Sequence, residues 1–149
     1  MDNPEAVAWV IAAEGYITLM RNHEFVQPRI GVANTQKDFI DKFHEMVGGI
    51  GHIYYYKHKN HPEHNGKYFW ELYSAGECLG FLLEIGNYLP IKQEQATIVI
   101  ACCFKALNRK GQAKGLKRGT PEWKLICQPD NEDNVAYTKM KELNRRGPK

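Results

Sequence analysis

Residues 6 to 17 read AVAWVIAAEGYI: small and apolar residues over a helical length, then one carboxylate, Glu14, then a glycine, then strand-like residues. Alanine favours helix, glycine ends it, and tyrosine and isoleucine suit a pleated strand. The stretch predicts a helix that stops at Glu14 and passes straight into a β-strand. A carboxylate at a helix C-terminus faces the negative end of the helix dipole and costs stability unless something positive offsets it. A divalent cation is the first candidate for that charge.

Outward from this point the periodicity is regular. Tyr16, Thr18 and Met20 alternate with Ile17 and Leu19, and Gln27, Arg29 and Gly31 alternate with Ile30 and Val32, as in two half-buried strands joined by a turn at Asn22, His23 and Glu24. Thr35 and Asp38 read as a capping box opening a helix on Phe39, Ile40, Phe43, Met46 and Val47, which the GGIG of residues 48–51 ends. A second hairpin, strands 52–57 and 67–73, brackets the polar loop KNHPEHNG. Ser74 and Glu77 cap a helix packed through Leu79, Leu82, Leu83 and Ile85, which Asn87 and Pro90 break. Helices over 92–107, from Thr120 and Pro121, and over 134–143 follow. The order is αββαββα with a helical C-terminal extension: an α+β chain built on a four-stranded antiparallel sheet.

With 149 residues, 43% hydrophobic and 25% charged, the composition suits a single globular domain over 1–149, with a core at about 5–107 and an extension at about 108–149. The N-terminal apolar stretch is far shorter than the ~20 residues a bilayer requires, and no basic flank and cleavage site accompany it. An intracellular protein, not secreted and with no membrane partner, is the expectation. Cys78, Cys102, Cys103 and Cys127 show no CxxC spacing, so free buried thiols are expected rather than a zinc site or disulfides. Charge divides unevenly: residues 105–149 carry 12 basic and 5 acidic side chains, the rest 8 and 12. That basic segment suits phosphate contacts, and equally suits a solvated tail.

Residues 7–15, the segment GVANTQKDFIDKF (31–43) and the segment YLPIKQEQA (88–96) together resemble the LAGLIDADG homing endonucleases, in the family's order. Val7 to Gly15 stand on the positions of the signature helix, and LNRRG near the end is a weaker likeness. The resemblance implies a LAGLIDADG-type fold whose sheet binds DNA. It implies Glu14 as ligand of a catalytic Mg2+ or another divalent cation such as Mn2+, Lys92 reaching into the active site, and Asn34 positioning water. One signature helix per chain implies a homodimer cutting a long palindromic or pseudo-palindromic site in double-stranded DNA, encoded in an intron or standing free. Trp9 and Ala13 would line the crossing of the two signature helices. Trp9 stands where the family has a small residue, and Ala12 replaces the inner acidic one. Each assignment has a plainer reading: Glu14 solvated, Lys92 covering its own helix, Asn34 a turn residue.

Tyr16, Thr18, Met20, Asn22, Gln27 and Arg29 would face outward from the first hairpin, and His52, Tyr54, Tyr56, Lys67, Phe69, Glu71 and Tyr73 from the second. Arginine, glutamine and asparagine read purine edges in a major groove that admits a β-ribbon, and Glu71 could accept from a cytosine amine. His58, His61 and His64 are spaced like a metal cluster, but in a loop with Pro62 and Gly66 a hairpin tip touching phosphate is the expected reading. The rival function is a non-catalytic DNA or RNA binder, a transcriptional regulator or intron maturase; a small protein-interaction domain is a remoter one.

Overall fold

The computed structural model describes residues 1–22 and 25–145. His23 and Glu24, expected in the first hairpin turn, and the last four residues of the basic tail lie outside it. Helix α1 (Pro4–Glu14) opens on Asn3, whose side chain accepts from the Ala6 N–H at 3.0 Å, with Pro4 at a position that needs no donor. Its buried face is Val7, Ala8, Ile11 and Ala12. Strand β1 (Gly15–Asn22) starts at the next residue, while the Gly15 N–H still donates to the Ile11 carbonyl. The junction is tight enough that a Cβ on Gly15 would stand 2.8 Å from Ile11 Cα.

Strands β2 (Phe25–Asn34), β3 (His52–Tyr56) and β4 (Lys67–Leu72) complete an antiparallel sheet of order β1-β2-β4-β3. Its inner face, Ile17, Leu19, Ile30, Val32, Trp70 and Leu72, is no more than 3% exposed. Helices α1, α2 (Lys37–Met46), α3 (Ala75–Ile85), α4 (Gln93–Gln112) and α6 (Asn131–Leu143) all contribute to the one buried cluster against that face. A short α5 (Pro121–Cys127), capped by Thr120, links the last two. Trp70 anchors the centre. Its indole N–H donates to the Ile50 carbonyl at 2.8 Å and its ring meets Phe43 edge-on.

Local chemistry differs from expectation at four places. The Thr35–Asp38 box does not form: Gln36 is the N-cap of α2 and makes no side-chain capping bond. Instead the Asn34 side-chain oxygen accepts from the Gln36 N–H at 2.9 Å, a side-chain turn that competes with a helix cap. Leu83 is 59% exposed, because the buried stripe of α3 runs through Cys78, Phe81, Leu82 and Ile85. The C-terminal segment is not a solvated tail over its described length. Met140 lies in the core and the Asn144 amide donates to the Ile17 carbonyl at 3.1 Å. Last, α6 begins three residues earlier than expected, where Asp130 and Asp133 exchange bonds in a true capping box. All four cysteines are free; Cys78 and Cys103 are buried and the other two half-buried.

Candidate active site and nucleic-acid interface

The end of α1, the outward face of the sheet and the start of α4 converge on an open hollow of about 910 Å3. Glu14, Tyr16, Arg29, Lys67, Glu71 and Lys92 line it, with Gln95 from α4 and Asn144 and Arg145 from beyond α6. Glu14 is exposed at the rim.

Lys92 has a specific task. Its ammonium donates to the carbonyls of Ile11 at 2.8 Å, Ala12 at 2.8 Å and Gly15 at 2.6 Å. The last carbonyls of a helix lack intrahelical partners and carry the negative end of the dipole, so a cation with three donors satisfies both needs. The positive group at this helix end is therefore Lys92. Burial pushes its ammonium below the ordinary lysine range, and the Glu14 carboxylate opposes that shift. The reach depends on an unusual backbone: Lys92 is the N-cap of α4 with φ 68°, the one positive-φ non-glycine among the described residues. Such a conformation costs roughly 1–3 kcal/mol and persists where its surroundings enforce it.

Asn34 ends β2 at the same end of the sheet as the α1–β1 junction: its neighbour Ala33 lines the hollow, while its own side-chain oxygen is turned to the backbone of Gln36.

On the outward face, the register pairs Tyr16 with Gly31 and Gly31 with Glu71, three neighbours in a row across β1, β2 and β4. Because Gly31 has no side chain, the Tyr16 ring lies across β2 and its hydroxyl donates to the Glu71 carboxylate. A Cβ at Gly31 would collide with the Tyr16 ring. Arg29 approaches the same carboxylate at 3.9 Å. Glu71 is consequently 5% exposed, and its carboxylate is committed within the protein rather than open as an acceptor. Burial, then the bond to Glu71, raises the Tyr16 hydroxyl well above the ordinary tyrosine range, and burial together with Glu71 pushes Tyr54 up to about 12. Both remain protonated donors at neutral pH. The Arg29 Nε is buried without a partner.

Met20, Asn22, Gln27, His52, Tyr54, Tyr56, Lys67 and Tyr73 are exposed, while Thr18 and Phe69 are half-buried. Tyr54 stacks on Phe69 across the strands at 5.1 Å, and His52 on Tyr73, which follows the end of β4, at 4.8 Å. Trp9, 56% exposed, and the exposed Ala13 share the outer side of α1, one turn apart. Sequence reasoning missed Gly31, Gln95 and Asn144. A glycine inside a strand is a signal of close approach, but nothing local told which side chain would use the space.

No protein-family model matches the chain, and no curated protein matches its sequence. Solved structures do resemble it. The homing endonuclease I-CvuI, in complex with I-CreI target DNA in the presence of 2 mM Mg with the DNA not cleaved, superposes with a TM-score of 0.68 at 17% identity, covering 99% of this chain and 85% of that one. The archaeal intron-encoded homing endonuclease I-Vdi141I, complexed with DNA, gives 0.59 at 15% identity over 95% and 96%. The LAGLIDADG homing endonuclease I-SmaMI, bound to cleaved DNA, gives 0.51 at 17% identity, covering 99% of this chain and 51% of that one. The fold is that of the LAGLIDADG homing endonucleases.

Among the described residues no helix is long and apolar enough to cross a membrane.

Proposed function

We propose that this chain is a site-specific double-stranded DNA endonuclease that acts as a homodimer on a palindromic or pseudo-palindromic site, with a divalent cation as cofactor. The observation that carries the reading is that Glu14 and the outward sheet face open into one hollow, so a duplex seated on the sheet meets an exposed carboxylate. The DNA complexes of structures with the same fold support it.

The donor set fits Mg2+. The hollow offers carboxylate and amide oxygens, with neither thiolate nor imidazole among its described lining residues, as a hard cation prefers. Glu14 from each protomer would hold it, with waters and phosphate oxygens filling the shell. When bound, the ion supplies Lewis acidity at the phosphate and makes water easier to deprotonate. The chain's own residues do the rest. Lys92 fixes the helix end from which Glu14 projects, and leaves its charge close to that carboxylate. Gln95 offers an amide for orienting water and Asn144 a side-chain oxygen, its N–H being given to the Ile17 carbonyl, and Asn34 stands next to the lining Ala33 for the same task. The outward hairpins supply groove contacts: exposed Gln27 and Asn22 suit purine edges, and Arg29 lies beside the Glu71 carboxylate at 3.9 Å. The chain acts as one unit, since Met140 of the extension shares the core of α1 to α4.

The second reading, a non-catalytic nucleic-acid binder, draws on two observations: the Lys92 donors are all directed at backbone carbonyls, and the Asn34 side-chain oxygen is taken up by the Gln36 N–H. Incubating the protein with Mg2+ and the DNA flanking its own gene, then mapping strand breaks, separates the two. Paired breaks at one site that disappear with EDTA support the enzyme; binding without breaks supports the rival.

A further inference from the structure

We propose that the loop between β3 and β4 binds a transition-metal ion of the zinc class through His61, Glu63 and His64. Such a site is independent of the endonuclease reading.

The loop makes two successive turns sharing one residue. The His61 N–H donates to the His58 carbonyl at 3.4 Å and the His64 N–H to the His61 carbonyl at 3.0 Å. Backbone bonds of this i to i+3 kind place side chains three apart on one side. Pro62 occupies the second position of the second turn, where its fixed φ favours the turn. The imidazoles of His61 and His64 accordingly stack, with ring centroids 5.0 Å apart and planes at 16°. Glu63 lies between them, its carboxylate 3.1 Å from His61 Nδ1 and 3.7 Å from His64 Nε2.

These three donors all lie within 4.8 Å of one another. Tetrahedral zinc with bonds of ~2.0–2.1 Å holds its ligands roughly 3.3 Å apart, and each imidazole binds along a lone pair in its own ring plane, so the two exposed rings turn out of their stack to close the set on one ion. Two imidazoles and a carboxylate favour zinc, cobalt, nickel or copper over magnesium or calcium. The His58 ring is as near to His61, with centroids 4.9 Å apart, but its Nδ1 is already engaged. Its Nδ1 accepts from the Asn60 N–H at 3.3 Å, which leaves the proton of the neutral ring on Nε2. Three protein ligands leave a fourth position for water or an outside donor. The loop adjoins Tyr56, Lys67 and Phe69 at the end of the outward sheet face, so a bound ion would order a segment beside that face and lower the entropy lost when a partner is engaged there.

Calorimetry of the full chain with Zn2+, and the visible spectrum with Co2+, test the assignment. One ion per chain and the intense absorption of four-coordinate cobalt are expected. His61→Asn and His64→Asn should each weaken binding by more than about 100-fold, since even outer-shell partners of a metal are worth 10–100-fold. His58→Asn should leave affinity unchanged. Because all three positions are exposed, the variants should keep the wild-type circular dichroism. Unchanged affinity in the His61→Asn/His64→Asn double variant, or a six-coordinate cobalt spectrum, would overturn the proposal, as would a loss in His58→Asn equal to that in His61→Asn.

Discussion

The Lys92 ammonium lies 2.6 Å from the Gly15 carbonyl and closes the end of α1 from a position 77 residues further along the chain. Helix, strand and the N-terminus of α4 are thereby tied at one point, and Ala13 and Glu14 lie between the tied carbonyls. A carboxylate there needs a counter-charge, and the fold provides one before any metal is considered. With that charge offset, Glu14 is free to face the hollow.

Lys92→Ala should lower stability by about 1–3 kcal/mol, the usual cost of leaving half-buried polar groups without a partner. Lys92→Gly removes the same ammonium but accepts φ 68° without strain. It should therefore be more stable than the alanine variant by roughly 1 kcal/mol. Urea unfolding of both variants measures the difference. Equal stabilities would mean that the left-handed backbone carries no strain.

Glu14→Gln should abolish Mg2+-dependent cleavage while leaving DNA affinity within about tenfold, because groove and phosphate contacts are largely separate from metal chemistry. Gel-shift titration beside single-turnover cleavage gives both numbers. Parallel loss of binding would place Glu14 among the groups that touch DNA instead.

Much of this arrangement is legible in the sequence because it is periodic. Alternation places both hairpins and their inner faces, and the halt at Gly15 places the α1–β1 junction to the residue. What escapes is non-local. Asn34 is not such a case: its side-chain bond to the N–H two residues on is the local turn that its residue type already offered. Glu71 alternates correctly onto the outward face, but its burial depends on Gly31 letting Tyr16 cross a whole strand. The basic composition of the extension is visible; that Met140 and Asn144 dock it against β1 is not, since each is one residue in a charged context. The reach of Lys92 likewise rests on one φ angle.

The dock between α4 and the start of α6 should be sensitive to acid. The Lys105 ammonium, and then the Asp133 backbone N–H, hold the Asp130 carboxyl well below the usual carboxylate range. A carboxyl whose folded value lies beneath its unfolded one contributes stability that is fully present above an ordinary value of about 4 and is lost as pH falls below it. The urea midpoint should thus fall from about pH 5 to about pH 3, the span that brackets an ordinary carboxylate, and the fall should be shallower in Lys105→Ala. An identical slope in that variant would remove Asp130 as its origin.

The basic segment should act through phosphates. Lys110, Lys114 and Lys117 are exposed around the end of α4, and replacing all three with alanine should weaken binding to every sequence alike. The salt dependence should flatten by roughly 0.9 in log–log slope for each phosphate that is no longer neutralised. Removing the chain from Lys139 onward, by contrast, would take Met140 from the core and test folding rather than charge. Collapse of sequence preference in the triple variant would mean that these lysines read bases and that the hairpins do not account for recognition.

Trp9 and Ala13 leave an apolar strip on the outer side of α1, beside the exposed Glu14, and burial of that strip against a second copy would bring two Glu14 carboxylates together. Closely packed helices need small side chains where their backbones cross, and in such a dimer Ala13 would be the small one, with the exposed indole of Trp9 beside the crossing. Ala13→Leu should overpack the crossing at a cost of ~1–3 kcal/mol. Each 1.4 kcal/mol is about tenfold in an equilibrium constant, so the dimer should dissociate at roughly 5- to 150-fold higher concentration. Light scattering across a dilution series, run beside cleavage, separates the cases. Dimer and activity falling together, both recovering at high protein concentration, is the expected result. A wild-type chain that cuts as a monomer, or an Ala13→Leu dimer as tight as wild type, would move the interface away from α1.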